Sequence, residues 1–255
     1  MCGRFALTIT PEEVEALFAL LELEDFPPRF NIAPTQPMLM VMAGHGQQEP
    51  GSNLPDRRAL LVRWGLIPGW AKNPKDLPLL INARSETAAE KGSFRAALRH
   101  RRALVPASGF YEWKREGKKP AQAYWIRPKG GGLVAFAGLM ETWHEPGGSE
   151  IDTGAILTTA ASPDIAHIHD RMPVVIQPPD FERWLDCRRN EPRDVADLMR
   201  TADPGLFEAI PVSDKVNKVA NTGPEIQEPV MVTPAPQAKP TESRSGVADP
   251  QMKLF

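Results

Sequence analysis

The sequence predicts an α+β domain built on mostly antiparallel β-sheet. Three observations carry this. Strand-like runs follow one another at short spacing from residue 103 onward, without the βαβ alternation of a parallel fold. Hydrophobic residues make up 42% and charged residues 24% of the 255 residues, the composition of an ordinary globular domain. Proline is frequent, at 27 residues, which favours turns and irregular connections over long helices.

A first helix is expected over 10–24. Thr10 can cap it, Pro11 suits its first turn, and Glu12 and Glu13 complement the positive end of its dipole. Val14, Leu17, Phe18 and Leu21 fall on one face, and Pro27 and Pro28 stop it. Strands follow over 37–43 and 58–64, joined by a polar loop rich in Gly and Gln, and then a helix over 85–100. Strand-like runs come next at 103–106, 110–114, 122–127, 133–139 and 154–160. Short helices near 178–187 and 191–200 precede a last strand near 208–212. From about Glu228 prolines mix with Ser, Thr, Gln and Lys, and no aromatic residue appears before Phe255. Such a segment cannot bury enough apolar surface to offset its ordering entropy. One folded domain over 1–227 and a disordered Pro-rich tail over 228–255 are therefore expected.

Composition also narrows the function. No apolar run approaches the roughly 20 residues of a membrane span, and the chain start lacks the apolar stretch of a secretory signal. Two cysteines, Cys2 and Cys187, cannot build a disulfide framework or a four-Cys zinc site. A cytoplasmic protein is expected. The net charge of −2 argues at first against a nucleic-acid partner. Yet nine Lys and Arg lie between Lys91 and Lys119 against only Glu112 and Glu116, a local balance of +7. Charge alone favours a solvated helix face, although a local basic surface can bind phosphates whatever the total.

Cys2 carries the most chemistry. Removal of Met1 would leave an α-amine and a thiol on adjacent carbons. Their reference pKa values, about 7.7–8.0 and about 8.5, make both groups nucleophilic near neutrality. The amine of such a 1,2-aminothiol condenses with an aldehyde to an imine, and the thiol closes onto the imine carbon as a thiazolidine. In His169-Asp170-Arg171-Met172-Pro173 the histidine suits acid/base work. Asp170 and Arg171 can orient it or pair with each other, and His167 shares its side if the segment is extended. In Gly109-Phe110-Tyr111-Glu112-Trp113, a strand places Glu112 on the face of Phe110. Apolar surroundings there would raise its pKa into a usable range. Asn82 and Arg84 lie on one side of an extended segment that suits a sugar-phosphate, with Ser85 or Thr87 capping the following helix. Trp64 and Trp70 flank a turn; position alone favours both as core residues, with stacking on a base as the alternative.

Together these elements resemble the SRAP family (SOS-response-associated peptidase, or abasic-site processing proteins). The matching runs include Met1-Cys2-Gly3-Arg4-Phe5, Asn31-Ile32-Ala33-Pro34-Thr35, Arg63-Trp64-Gly65-Leu66-Ile67-Pro68 and Ile81-Asn82-Ala83-Arg84-Ser85-Glu86-Thr87. Gly109–Trp113, Ala137-Gly138-Leu139, Thr158-Thr159-Ala160-Ala161, His169–Pro173 and Val216-Asn217 follow in family order. Departures are small: Ala103 and Ser108 stand where many relatives have Cys and Asp.

The resemblance implies a barrel-like SRAP domain that senses abasic sites in single-stranded DNA. It would cross-link to them through Cys2 in the DNA damage response, shielding the lesion. It implies Cys2, Asn82, Glu112 and His169 as catalytic residues, with Glu112 shuttling protons and Asn82 holding the amine and sugar. It implies Arg4, Pro34, Trp70, Arg84 and Thr158 at the DNA, Pro34 and Trp70 as wedge and stacking surface. No metal or cofactor is required, and a nucleoid-associated monomer suffices. The last residues, Gln251, Leu254 and Phe255, resemble a peptide that docks on the replication sliding clamp. The rival reading is a thiol peptidase or amidase with Cys2 as nucleophile, including self-removal of Met1. A third is a non-catalytic single-strand adaptor on the clamp, for which Cys2→Ala would leave every function intact.

Overall fold

The computed structural model describes residues 2–44, 55–115, 117, 121–145 and 147–231. Met1, Glu116, Lys118, Lys119 and the expected clamp peptide Gln251, Leu254 and Phe255 lie outside these residues. The first half carries β1 (Phe5–Leu7), α1 (Pro11–Phe18), β2 (Arg29–Ile32), β3 (Pro37–Ala43), β4 (Arg57–Trp64), β5 (Asn82–Arg84) and α2 (Arg95–His100). Then come β6 (Arg102–Ala107), β7 (Gly109–Lys114), β8 (Gln122–Pro128), β9 (Val134–His144), β10 (Glu150–Ala160), β11 (Arg171–Pro173), β12 (Val175–Ile176), α3 (Phe181–Leu185) and β13 (Phe207–Val212).

Five strands close on themselves in the order β10-β4-β3-β6-β9, with β9 pairing back to β10. The result is a small barrel. All its contacts are antiparallel except β4 with β10. Its lumen holds Met38 and Met40, both fully buried. Gly138 and Gly154 make the room: a Cβ on Gly138 would lie 2.4 Å from Met40 Cε, and one on Gly154 2.6 Å from Met40 Sδ. A second, five-stranded sheet runs β13-β8-β7-β1-β2. Its inner face joins the main core through Phe5, Phe110 and Phe207, with Phe5 edge-on to Trp64 at 5.2 Å. Its outer face packs Tyr111, Trp125 and Ala6 under Val216 and Ile226 of the C-terminal segment. Hydrogen bonds continue to Val230, whose N–H donates to Pro211 O at 2.9 Å, slightly beyond the boundary expected at 227. No helix among the described residues is long and apolar enough to cross a membrane.

The helices are shorter than the sequence suggests. α1 has the expected start, a reciprocal Thr10–Glu13 capping box with Pro11 in its first turn. It ends at Phe18 because Ala19 turns left-handed at φ 50°, not at Pro27. Leu21 therefore leaves the apolar face and is 60% exposed. The expected helix 85–100 is a run of turns up to Phe94. Gly92 interrupts it, and neither Ser85 nor Thr87 caps α2, which has no side-chain cap. Residues 192–198 form a 3₁₀ rather than an α-helix. The short β1, β2, β11 and β12 lie outside the expected strands, whereas β5 is the extended segment expected at Asn82–Arg84.

The basic run 91–119 is not one surface. Arg102 is 1% exposed and donates to Trp184 O at 2.6 Å, Leu98 O at 3.0 Å, Asn190 O at 2.9 Å and Asp186 O at 3.3 Å. It ties α2 and α3 to the base of β6. Arg102→Leu removes the guanidinium donors from Trp184 O, Leu98 O and Asn190 O, while Asp186 O keeps Asn190 as a donor, and should destabilise the fold by about 2–4 kcal/mol, read as a lower urea midpoint with unchanged slope.

Candidate active site

The sequence scatters four candidate groups from residue 2 to residue 169, and the two sheets gather them. β1 enters between β2 and β7, and Tyr111 N–H donates to Arg4 O at 2.9 Å. The chain start is thereby drawn inside, beside the next residue of β7, Glu112. Cys2 is fully buried, its thiol donating to Arg4 O at 3.6 Å. Burial pushes that thiol well above its ordinary range, and the nearby Glu112 carboxylate adds to the effect.

Asn82 begins β5, which runs parallel to β10 with Asn82 opposite Ile156. Its Nδ2 donates to Cys2 O at 2.8 Å. Its Oδ1 is buried and accepts no hydrogen bond among the described residues. An acceptor left so is costly, and a ligand donor beside Cys2 would satisfy it.

Glu112 shares the inward face of β7 with Phe110, as alternation predicts, and is 2% exposed. Burial raises its carboxyl to about 7, so near neutrality it both holds and releases a proton. His169 Nε2 stands 3.9 Å from Glu112 Oε2. The Arg171 N–H donates to His169 Nδ1 at 2.9 Å, so the proton of the neutral ring sits on Nε2, toward Glu112. Asp170 Oδ1 also lies 3.1 Å from Nδ1, but that carboxylate is 87% exposed and screened by water. Burial lowers the imidazole pKa from its ordinary value and keeps the ring neutral at pH 7.

Arg171 pairs with Glu86 through two bonds of 2.6 and 2.8 Å, rather than with Asp170, and donates to Thr158 O at 2.6 Å. His167 is not beside His169 on a strand; it is exposed in the turn 163–168.

The expected DNA contacts divide. Trp70 is 59% exposed, its indole N–H donating to Gly92 O at 3.2 Å. Trp64 is fully buried, its indole N–H donating to Ile81 O at 2.9 Å. Reading both as core is thus overturned. Arg84 follows Asn82 on the same side of β5, exposed. Pro34 sits in a turn whose Thr35 N–H donates to Trp64 O at 2.8 Å. Arg4 is half-buried and donates to Asn31 Oδ1 at 2.8 Å, Val216 O at 2.7 Å and Asn217 O at 3.1 Å. Those bonds leave two of its five N–H groups for a ligand. Thr158 is a correction: it is fully buried, with its hydroxyl 3.5 Å from Ala83 O, and serves the β5–β10 pairing instead of a surface contact.

Pro34, Trp64, Asn82 and the end of β10 share one mouth of the barrel. A cavity of about 820 Å³ lies at the other mouth, between Met42, Arg58, Arg101, Asp152 and Cys187. It contains none of the four clustered groups, and its cations are nearly balanced by acids.

The family model for SOS response associated peptidase (SRAP) matches residues 1–219. The chain belongs to the SRAP family. A Bacillus subtilis (strain 168) protein named abasic site processing protein YoqW is 38% identical over 231 residues, covering 89% of this chain and 99% of that one. Abasic site processing protein YedK of Escherichia coli (strain K12) is 34% identical over 240 residues, covering 90% and 100%. A crystal structure from Bacteroides thetaiotaomicron superposes with a TM-score of 0.75 at 21% identity, covering 90% and 100%, and shows the shared fold. In this SRAP chain, sequence reasoning missed Asn31, which is 3% exposed. It receives Arg4 and donates to Lys218 O and Asn221 O at 3.1 and 2.9 Å, locking the C-terminal segment over the chain start. It also missed Glu86, the partner that anchors Arg171. Both belong to the matching motifs, which was the available signal.

Proposed function

We propose that this SRAP protein captures abasic sites in single-stranded DNA through a covalent bond from Cys2 after Met1 is removed. The observation that carries the reading is the gathering of buried Cys2 and Glu112 with partly buried Asn82 and His169 around the chain start. A ring-opened abasic sugar presents an aldehyde at C1. The Cys2 amine adds to it, and water leaves to form the imine. The thiol then adds across the C=N bond, sulfur to carbon and proton to nitrogen. Ring closure leaves C1 saturated, so the imine no longer withdraws electrons from C2, and elimination of the flanking phosphate is suppressed.

Glu112, with a pKa near 7, supplies and removes the protons of ring opening and dehydration. His169 Nε2–H donates to the opened sugar, and the open Oδ1 of Asn82 receives the Cys2 amine. Trp70 gives a flanking base a stacking face, while Arg84 and the remaining donors of Arg4 meet phosphates. Hydrolysis by a thiolate finds less support, because burial opposes ionisation of Cys2.

Mixing the Met1-processed protein with single-stranded DNA carrying one abasic site should give a denaturation-resistant shift on gels, absent with Cys2→Ala. No shift with protein whose intact mass shows Met1 removed would reject the reading.

A further inference from the structure

The turn 33–36 closes with Gln36 N–H donating to Ala33 O at 3.1 Å and has Pro34 at its second position. In a type II turn with this arrangement, the third position needs positive φ and takes Gly or Asn. Here it is Thr35, at φ 72°, a conformation that β-branched residues rarely adopt. The threonine side chain gives the fold nothing in return. Thr35 is exposed, and its hydroxyl makes no hydrogen bond among the described residues.

The backbone around it holds the turn in place. Thr35 N–H donates to Trp64 O at 2.8 Å, and Trp64 N–H to Gln36 O at 2.9 Å. Gln36 Oε1 accepts from Ala33 N–H and from the Arg29 guanidinium, both at 3.1 Å, and Arg29 also donates to Pro37 O. Trp64 in turn donates to Ile81 O, one residue before Asn82. Glycine would keep every one of these bonds and relieve the strain. Strain that the surroundings enforce, at a residue idle in the fold, points to a function outside it.

We infer that Thr35 is a specificity residue for abasic DNA, an assignment that rests on the proposed function. Its branched side chain and the Pro34 ring form one rigid step at the mouth of the site. The step occupies the space a base would fill, so a nucleotide without a base reaches Cys2 and an intact one collides. The strained turn supplies the rigidity, and the branch supplies the bulk.

The test uses the full chain with Cys2→Ala, which removes the covalent step. Affinities are measured for single strands holding one tetrahydrofuran abasic analogue and for the same strand intact. The parent should prefer the abasic strand by roughly tenfold or more. Thr35→Gly should fold with an unchanged or higher melting temperature and lose most of that preference. Thr35→Asn, which accepts positive φ readily and so keeps the turn rigid, should lose it too, whereas Thr35→Val should retain it. Undiminished preference in Thr35→Gly and Thr35→Asn, or no preference in the parent, overturns the inference. Loss of preference in both, from a protein that never cross-links with Cys2 intact, would leave the inference standing and sink the covalent capture instead.

Discussion

Cys2→Ser should turn a denaturation-resistant DNA adduct into one that falls apart on the gel. Serine at position 2 keeps the small side chain that permits Met1 removal, and it keeps the α-amine. Imine formation with the abasic aldehyde therefore survives. The hydroxyl is a far weaker nucleophile than a thiol, so ring closure is lost and the imine hydrolyses. Stable adduct should form at least about a hundredfold more slowly. Borohydride, which reduces the imine to an amine, should restore a permanent shift with Cys2→Ser. A stable adduct from Cys2→Ser without borohydride would mean that the thiol is not part of the product. The site makes the experiment specific: Asn82 Nδ2 grips the Cys2 carbonyl, a contact that the substitution leaves in place.

Glu112→Gln should slow adduct formation by about 10²–10⁴-fold, the usual contribution of a positioned acid or base, and reshape its pH profile. The Cys2 amine must be unprotonated, which favours pH above its reference value of about 8. Glu112 must be protonated to act as acid, which burial permits up to about pH 7. The product of the two requirements is a bell, with a maximum between these values. Glutamine removes the alkaline fall and leaves a rate that only rises with pH. An unchanged bell in Glu112→Gln would assign the alkaline limb to another group.

The same substitution has a stability signature. The folded-state pKa of Glu112 is raised, so its contribution is fully present below the unfolded value of about 4.3 and is lost as pH rises through about 7. Above pH 7 the buried carboxylate then costs the fold on the order of 3–4 kcal/mol. Glu112→Gln should accordingly raise the urea midpoint at pH 8 and leave it nearly unchanged at pH 4. A buried acid that weakens the fold at neutral pH is the kind of stability cost that active sites carry.

Much of this was legible along the chain. Long strands such as β3, β4, β8 and β9 have apolar runs that periodicity finds without help, and the α1 start announces itself through Thr10, Pro11 and Glu13. What failed was termination. The left-handed Ala19 and the interrupted segment before α2 depend on what each residue packs against, and local propensity is too weak to decide that. The two- and three-residue strands β5, β11 and β12 exist only because the longer β9 and β10 offer them a ladder. Their sequences carry no period of their own.

The same division runs through the site. Cys2, Asn82, Glu112 and His169 could be named as reactive groups from residue type and motif alone, and strand alternation put Glu112 on the face of Phe110. The sequence could not say that burial lifts Glu112 to about 7, because desolvation is a property of the neighbours. Nor could it say which histidine nitrogen carries the proton, since a backbone amide from Arg171 decides that. Trp64 and Trp70 look alike in sequence and part company only when the barrel closes over one of them. Thr158 and Arg102, a hydroxyl and a cation that suit DNA by chemistry, are interior. Residue identity determined which reactions are available to this chain. Tertiary packing decided which groups meet, which are dry and which face the solvent, because proximity and dielectric arise only when distant segments share one core.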